Sequence, residues 1–289
     1  MSRWSWGFCV LPALVACSAA GRDIATGGDA GAASATSPSP SGTGSSSNVA
    51  GNDGGTANPP KVDEVYGHSG TDLYRLNPIT KAVSLVGSFE GCQSGVIDIA
   101  LDQDSNLYGT TTKALYRIDR NTAVCTKIAS GDYPNSLSFV PKGTVDPSDE
   151  ALVGYNDDVY VRIDTQNGKV TTLGSLGQGY KSSGDIVSVI GGGTYLTVKG
   201  KGCADCIVEV DPSTGAMKKK LGTLDHQDVF GLAFWAGSAY GFDLSGQLFE
   251  VDLSGGTVQT KPIGIPKAPS DLSFWGAGST TAAPVTAVK

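Results

Sequence analysis

Beyond Val62 the apolar residues fall in short runs rich in Tyr, Val, Ile and Leu, broken by Gly, Asn, Asp and Pro, and no stretch sustains the spacing of an amphipathic helix. One segment shows the unit: Leu107-Tyr108-Gly109-Thr110, then Ala114-Leu115-Tyr116-Arg117-Ile118-Asp119, then Thr126-Lys127-Ile128, then Ser136-Leu137-Ser138-Phe139. Its first element recurs at Val65-Tyr66-Gly67, Leu152-Val153-Gly154, Thr194-Tyr195-Leu196 and Ala239-Tyr240-Gly241, at intervals of 42, 45, 42 and 45 residues. Its second recurs at Leu73-Tyr74-Arg75-Leu76-Asn77, Val161-Arg162-Ile163-Asp164, Ile207-Val208-Glu209-Val210-Asp211 and Leu248-Phe249-Glu250-Val251-Asp252. A repeat of this period decides the architecture before any local propensity does.

Each second element ends in Asn or Asp, and three of them reach a glycine, Gly168, Gly215 or Gly255, a few residues on. That is turn chemistry: the Asx side chain accepts backbone N–H bonds, proline fixes φ at Pro78 and Pro212, and glycine supplies a positive φ. These residues are expected to cap hairpins rather than to hold a ligand. Short strands in regular groups of four predict an all-β chain, folded over residues 62–276 as a single five-bladed β-propeller of four-stranded blades. A sandwich has no reason to repeat its strands in groups of four. The chain enters on a second-strand motif at Tyr66 and leaves on an inner-strand motif, Ser270-Asp271-Leu272-Ser273-Phe274. That C-terminal strand is expected to join the first blade, closing the ring and removing its free edges, with residues 277–289 left as a disordered tail.

The N-terminal part reads differently. Arg3 precedes an apolar run, Gly7 to Ala16, that is too short to span a bilayer and suits an export signal. From Ser18 to Lys61 the chain is Gly, Ser, Ala, Thr, Pro and Asn, with Ile24 and Val49 as its only large aliphatics, so it cannot bury enough surface to offset its backbone entropy. Leu14-Val15-Ala16-Cys17 resembles the lipobox of bacterial lipoproteins. The resemblance implies a signal peptide over 1–16, diacylglyceryl attachment at Cys17, a disordered tether over 17–61 and, with Ser18 in place of an aspartate, an outer-membrane destination in the cell envelope. The repeats resemble the Leu-Tyr-Arg-Ile-Asp units of bacterial surface propellers near the YVTN and quinoprotein-like group, a likeness that specifies architecture far better than activity. Full quinoproteins are larger, so their cofactor is not carried over.

Charge and cysteines narrow the partners. A formal net charge of -7 repels polyanions, which excludes nucleic acid as a natural ligand. In an exported chain, Cys203 and Cys206 on a hairpin are expected to form a structural disulfide rather than a redox pair, because no helix N-terminus is there to stabilise a thiolate. Cys92 and Cys125 remain, and a bond between them would pin a loop across the second blade. Two histidines, His68 and His226, are too few for a multi-histidine metal site. The Lys218-Lys219-Lys220 run reads as protection of an outer strand edge.

The positions aligned at the start of the inner strands are Asp98, Ser136, Asp185, Gly231 and Asp271. Three carboxylates around one axis could hold Ca²⁺ or serve a hydrolase, whereas the plainer reading has each of them bond backbone N–H groups and stitch blades together. No glutamate aligns nearby as a general acid, so no catalytic residue is assigned. Trp235 and Trp275 follow equivalent phenylalanines and are expected to face one mouth of the channel, as platforms for a sugar or a protein partner or as core filler. The function these features imply is a membrane-tethered, extracytoplasmic binding or scaffolding propeller with a protein or carbohydrate ligand. The alternative is a hydrolase acting on a carbohydrate or lactone through the channel carboxylates.

Overall fold

A computed structural model describes residues 64–253 and 258–287. The chain divides into Met1–Thr56 and Ala57–Lys289, and every described residue belongs to the second unit. The export signal, Cys17 and the tether expected from the sequence lie outside the described residues.

Five antiparallel four-stranded sheets make up the fold. The first blade takes β1 (Val65–His68), β2 (Asp72–Leu76) and β3 (Val83–Ser88) from the N-terminal end of the repeat region. The second comprises β4 (Asp98–Leu101), β5 (Leu107–Thr111), β6 (Ala114–Ile118) and β7 (Cys125–Ser130). The third holds β8 (Leu137–Val140), β9 (Ala151–Asn156), β10 (Val159–Ile163) and β11 (Val170–Ser175). In the fourth are β12 (Lys181–Ser188), β13 (Thr194–Gly200), β14 (Cys203–Val210) and β15 (Met217–Thr223). The fifth consists of β16 (Val229–Trp235), β17 (Ser238–Asp243), β18 (Leu248–Asp252) and β19 (Gln259–Ile263). β20 (Gly276–Ser279) returns to β1, with Tyr66 opposite Gly278 and His68 opposite Gly276, and so completes the first blade. This is the five-bladed β-propeller that the repeats predicted.

The strand that closes the ring is not the expected one. Ser270–Phe274 matches the polar and apolar pattern of an inner strand, yet Phe274 instead plugs the junction between the first and fifth blades, edge-on to Tyr74 and Phe242 at 5.8 and 5.1 Å between ring centres. Burying such a ring completely contributes about 2–3 kcal/mol. The true closing strand is made of small residues because the axis is crowded. A Cβ on Gly276 would lie 2.2 Å from Asp98 Oδ1 and 2.5 Å from His68 Nε2. Residues 277–283 are therefore no tail: Ala277, Thr280, Thr281 and Ala283 are buried. Thr281 reaches Ile190 N in the fourth blade with its carbonyl and Glu150 beside the third with its hydroxyl, which carries the chain across the far end of the channel.

Inner strands are buried along their length and outer strands largely exposed, as in β4 and β7. The hairpin caps behave as read. Asn77, Asp119, Asp164 and Asp211 each accept two backbone N–H bonds from the residues two and three places on. Asp119 and Asp164 are held below the usual carboxylate range chiefly by those bonds. Gly168 and Gly215 supply the positive φ, 73° and 71°. Tyrosines then pin blade to blade through these turns: Tyr155 donates to Gly215 O at 2.6 Å and Tyr160 to Pro212 O at 2.8 Å. Disulfides join Cys92 to Cys125 and Cys203 to Cys206.

Candidate functional site

The inner strands run side by side in one direction, as the parallel bridge between Leu101 and Thr280 shows. Each junction between them carries a hydrogen bond. Asp98 accepts Leu137 N at 2.6 Å, Ser138 Oγ accepts Ser188 N at 3.2 Å, and Asp185 accepts Leu232 N at 2.9 Å. Ser279 Oγ accepts Phe234 N at 2.9 Å, and Thr280 Oγ1 donates to Asp102 O at 2.8 Å, which completes the circuit. The two aspartates thus do what the plainer reading of them required.

They also meet each other. Asp98 and Asp185 are fully buried and share a hydrogen bond, so one proton must sit between them. Burial raises both well above the usual range, and the charge of Asp185 raises Asp98 further. His68, also fully buried, donates from Nδ1 to Ser69 O at 2.8 Å, so its unprotonated Nε2 faces Asp98 Oδ1 at 3.9 Å. Burial lowers this imidazole to about 4. It is neutral where the dyad holds its proton. His68 Nε2, Thr110 Oγ1 and Ser136 Oγ are buried and make no hydrogen bond among the described residues. Together these groups form a sealed polar floor.

One residue earlier along each inner strand the surface is open. Ile97, Asn135, Gly184, Phe230 and Trp275, one from each blade, line a pocket of about 300 Å³ on the axis, with Leu244 of the β17–β18 hairpin as a sixth wall. Trp275 is 40 % exposed and Leu244 41 %. A concave, apolar site with one side-chain amide, Asn135, is the form a binding pocket commonly takes.

This geometry redistributes the residues singled out in the sequence. Asp98 and Asp185 converge on the axis, but Asp271 is exposed in the loop before β20, so the three carboxylates share no point at which Ca²⁺ could sit. Among the described residues no cluster of three or more His, Cys, Asp or Glu side chains is placed to hold a metal. Trp235 ends its inner strand and is core, 6 % exposed, whereas Trp275 precedes β20 and stands at the opposite end of the channel. Both errors follow from placing the closing strand too early. Sequence reasoning missed His68, and Ile97, Asn135, Gly184 and Phe230, each one position before a residue it did align. The available signal was the alignment itself, read one place upstream.

No family model matches the chain, and no curated protein sequence matches it. Among solved structures it is similar to hydrazine synthase of Kuenenia stuttgartiensis, at 11 % identity over 67 % of this chain and a TM-score of 0.38. It is similar to a Bacteroides caccae protein of unknown function, at 10 % identity over 74 % of this chain and 77 % of the other, with a TM-score of 0.41. A third is XC5397 from Xanthomonas campestris, a gluconolactonase, at 12 % identity over 63 % of this chain with a TM-score of 0.44. This chain spans 60 % of the hydrazine synthase chain and 65 % of the XC5397 chain.

Proposed function

We propose that this protein is a binding module of the bacterial cell envelope, held to the membrane by lipid on Cys17 and receiving its ligand in the axial pocket. The observation that carries the reading is the division between floor and mouth. The titratable groups on the axis are sealed and spend their oxygens on backbone N–H bonds, while the accessible surface above them is apolar and concave. Chemistry needs a reactive group that substrate can touch, whereas binding needs a shaped wall with a rigid aromatic. Two disulfides belong to an oxidising, extracytoplasmic compartment. Among the described residues no helix is long and apolar enough to cross a membrane.

Two measurements test the proposal. Membrane fractionation is expected to find the wild-type chain with membranes and Cys17→Ser in the soluble fraction; a variant that still pellets removes the anchor. Calorimetric titration with short oligosaccharides and short peptides is expected to give saturable binding that Trp275→Ala abolishes. A saturable ligand indifferent to Trp275→Ala would place binding elsewhere and overturn the pocket reading.

A further inference from the structure

We propose that the ligand of this mouth is an amphipathic cation, whose ammonium or guanidinium head sits between Asp72 and Asp271 while its apolar body enters the axial pocket. The inference rests on the pocket reading above and adds to it the chemical class of the ligand.

Trp275 lines two cavities at once. On one side is the apolar axial pocket; on the other is a cleft of about 410 Å³ whose walls include Asp72, Tyr74, Asp271 and the hydroxyls of Ser69, Thr71 and Ser273. Its indole is held between two glycines. A Cβ on Gly70 would come within 3.2 Å of the ring and one on Gly95 within 3.1 Å, so the backbone closes on the ring edge and fixes where it points. A fixed aromatic loses little freedom on binding.

Both carboxylates line this cleft. Asp72 ends the turn after β1, where Ser88 Oγ donates to Oδ1 at 2.6 Å and Thr71 Oγ1 to Oδ2 at 2.7 Å. Asp271 also lines the cleft and is exposed. Both act on the Tyr74 phenol, which is raised first by burial and then by these two negative charges. Among the described residues neither is paired with a lysine or arginine, and none of the residues lining the cleft or the axial pocket is basic.

The other side of the pocket repeats the charge. Leu244 leads into a second cleft with Asp225, Asp228 and Asp243, where the single base is His226, bonded to Asp243 at 3.0 Å and stacked on Phe249. Lys113 pairs with Asp132 and Lys181 with Asp157, while Lys199, Lys201 and Lys267 are exposed and line neither the cleft nor the axial pocket. An apolar hole bordered by carboxylates on two sides, with Asp72 and Asp271 paired to no lysine or arginine among the described residues, attracts a body that is apolar at one end and positive at the other. A cation beside the exposed face of a tryptophan gains from the ring as well.

Three probes sharing one body separate head from body: 4-phenylbutylammonium, 4-phenylbutanol and 4-phenylbutyrate, titrated calorimetrically into the full chain. The ammonium is expected to bind at least about tenfold more tightly than the alcohol, the carboxylate most weakly, and the ammonium's advantage to shrink as salt screens it. In the Asp72→Asn/Asp271→Asn variant the ammonium and the alcohol are expected to agree within about twofold. Asp271→Asn alone, exposed and free of structural bonds, is expected to remove about half of that advantage on a logarithmic scale, which keeps the test intact should Asp72→Asn disturb its turn. Equal binding of all three probes, each lost in Trp275→Ala, overturns the cation and leaves the pocket standing. Binding of none, or binding that survives Trp275→Ala, overturns both.

Discussion

Floor and mouth of this channel differ by one residue along each inner strand, and almost everything about them is opposite. The floor positions Asp98, Ser136, Asp185, Gly231 and Gly276 are sealed, and two of them are carboxyls sharing a proton. The mouth positions Ile97, Asn135, Gly184, Phe230 and Trp275 line the pocket and are mostly apolar, with Asn135 and Trp275 exposed. A buried carboxyl is tolerable only when its oxygens are saturated, so a polar residue on the axis is first a structural group. The lesson is that a ring of acids does not make a site until something can reach it.

The sharpest break of this contrast is Asp98→Ala. It orphans Leu137 N and leaves Asp185 a lone buried charge, an expected loss of about 3–5 kcal/mol in urea unfolding. Asp98→Asn keeps the shape but turns an NH2 toward one of the two backbone N–H groups, Ile99 or Leu137, that Asp98 accepts, and is expected to cost about 1–3 kcal/mol, less than Asp98→Ala. Similar midpoints for Asp98→Ala and wild type would mean the floor is not structural.

The next largest effect is in pH. His68 is neutral in the fold down to about 4, while the unfolded chain takes up its proton near 6.5, so stability present above 6.5 is lost as pH falls toward 4. That limb amounts to up to about 3 kcal/mol and should vanish in His68→Asn. The dyad has the opposite sign. Its proton is retained in the fold above the ordinary carboxylate range, so its contribution is complete below about 4 and is lost as pH rises through the folded value. Between pH 4 and 6.5 the two limbs therefore oppose each other: the wild-type curve is expected to be nearly level there, His68→Asn to lose stability as pH rises, and Asp98→Asn to gain it. Variant curves that run parallel to the wild type between pH 4 and 6.5 would contradict the buried floor.

At the mouth the expected effects on stability are small. Trp275→Ala removes a partly exposed ring and is expected to cost about 1–2 kcal/mol while eliminating ligand binding. Asp271→Asn should stay within about 0.5 kcal/mol by thermal melt, as expected of an exposed side chain without structural bonds. A drop of several kcal/mol at Asp271 would mean that it belongs to the floor after all.

Much of the fold was legible because each blade advertises itself locally. The Tyr-Gly second strands, the Asx-capped hairpins and four of the five floor positions follow from alternation and turn chemistry. The candidate site was only half legible. Asp98 and Asp185 aligned correctly, whereas Ser270–Phe274 imitated an inner strand so well that Asp271 and Trp275 were each placed about five residues out of register. Gly276-Ala277-Gly278-Ser279 carries no hydrophobic signal, since the crowding that demands small residues there comes from other blades.

What this sequence determined alone was the unit and its number, because hairpin chemistry acts between residues close in the chain. Which strand closes the ring, that two aspartates share a proton, and that Trp275 faces solvent while Trp235 is core were decided only in three dimensions. Those outcomes depend on contacts between segments as distant as Val65–His68 and Gly276–Ser279, where the steric fit across the axis, rather than the local pattern, selects the register.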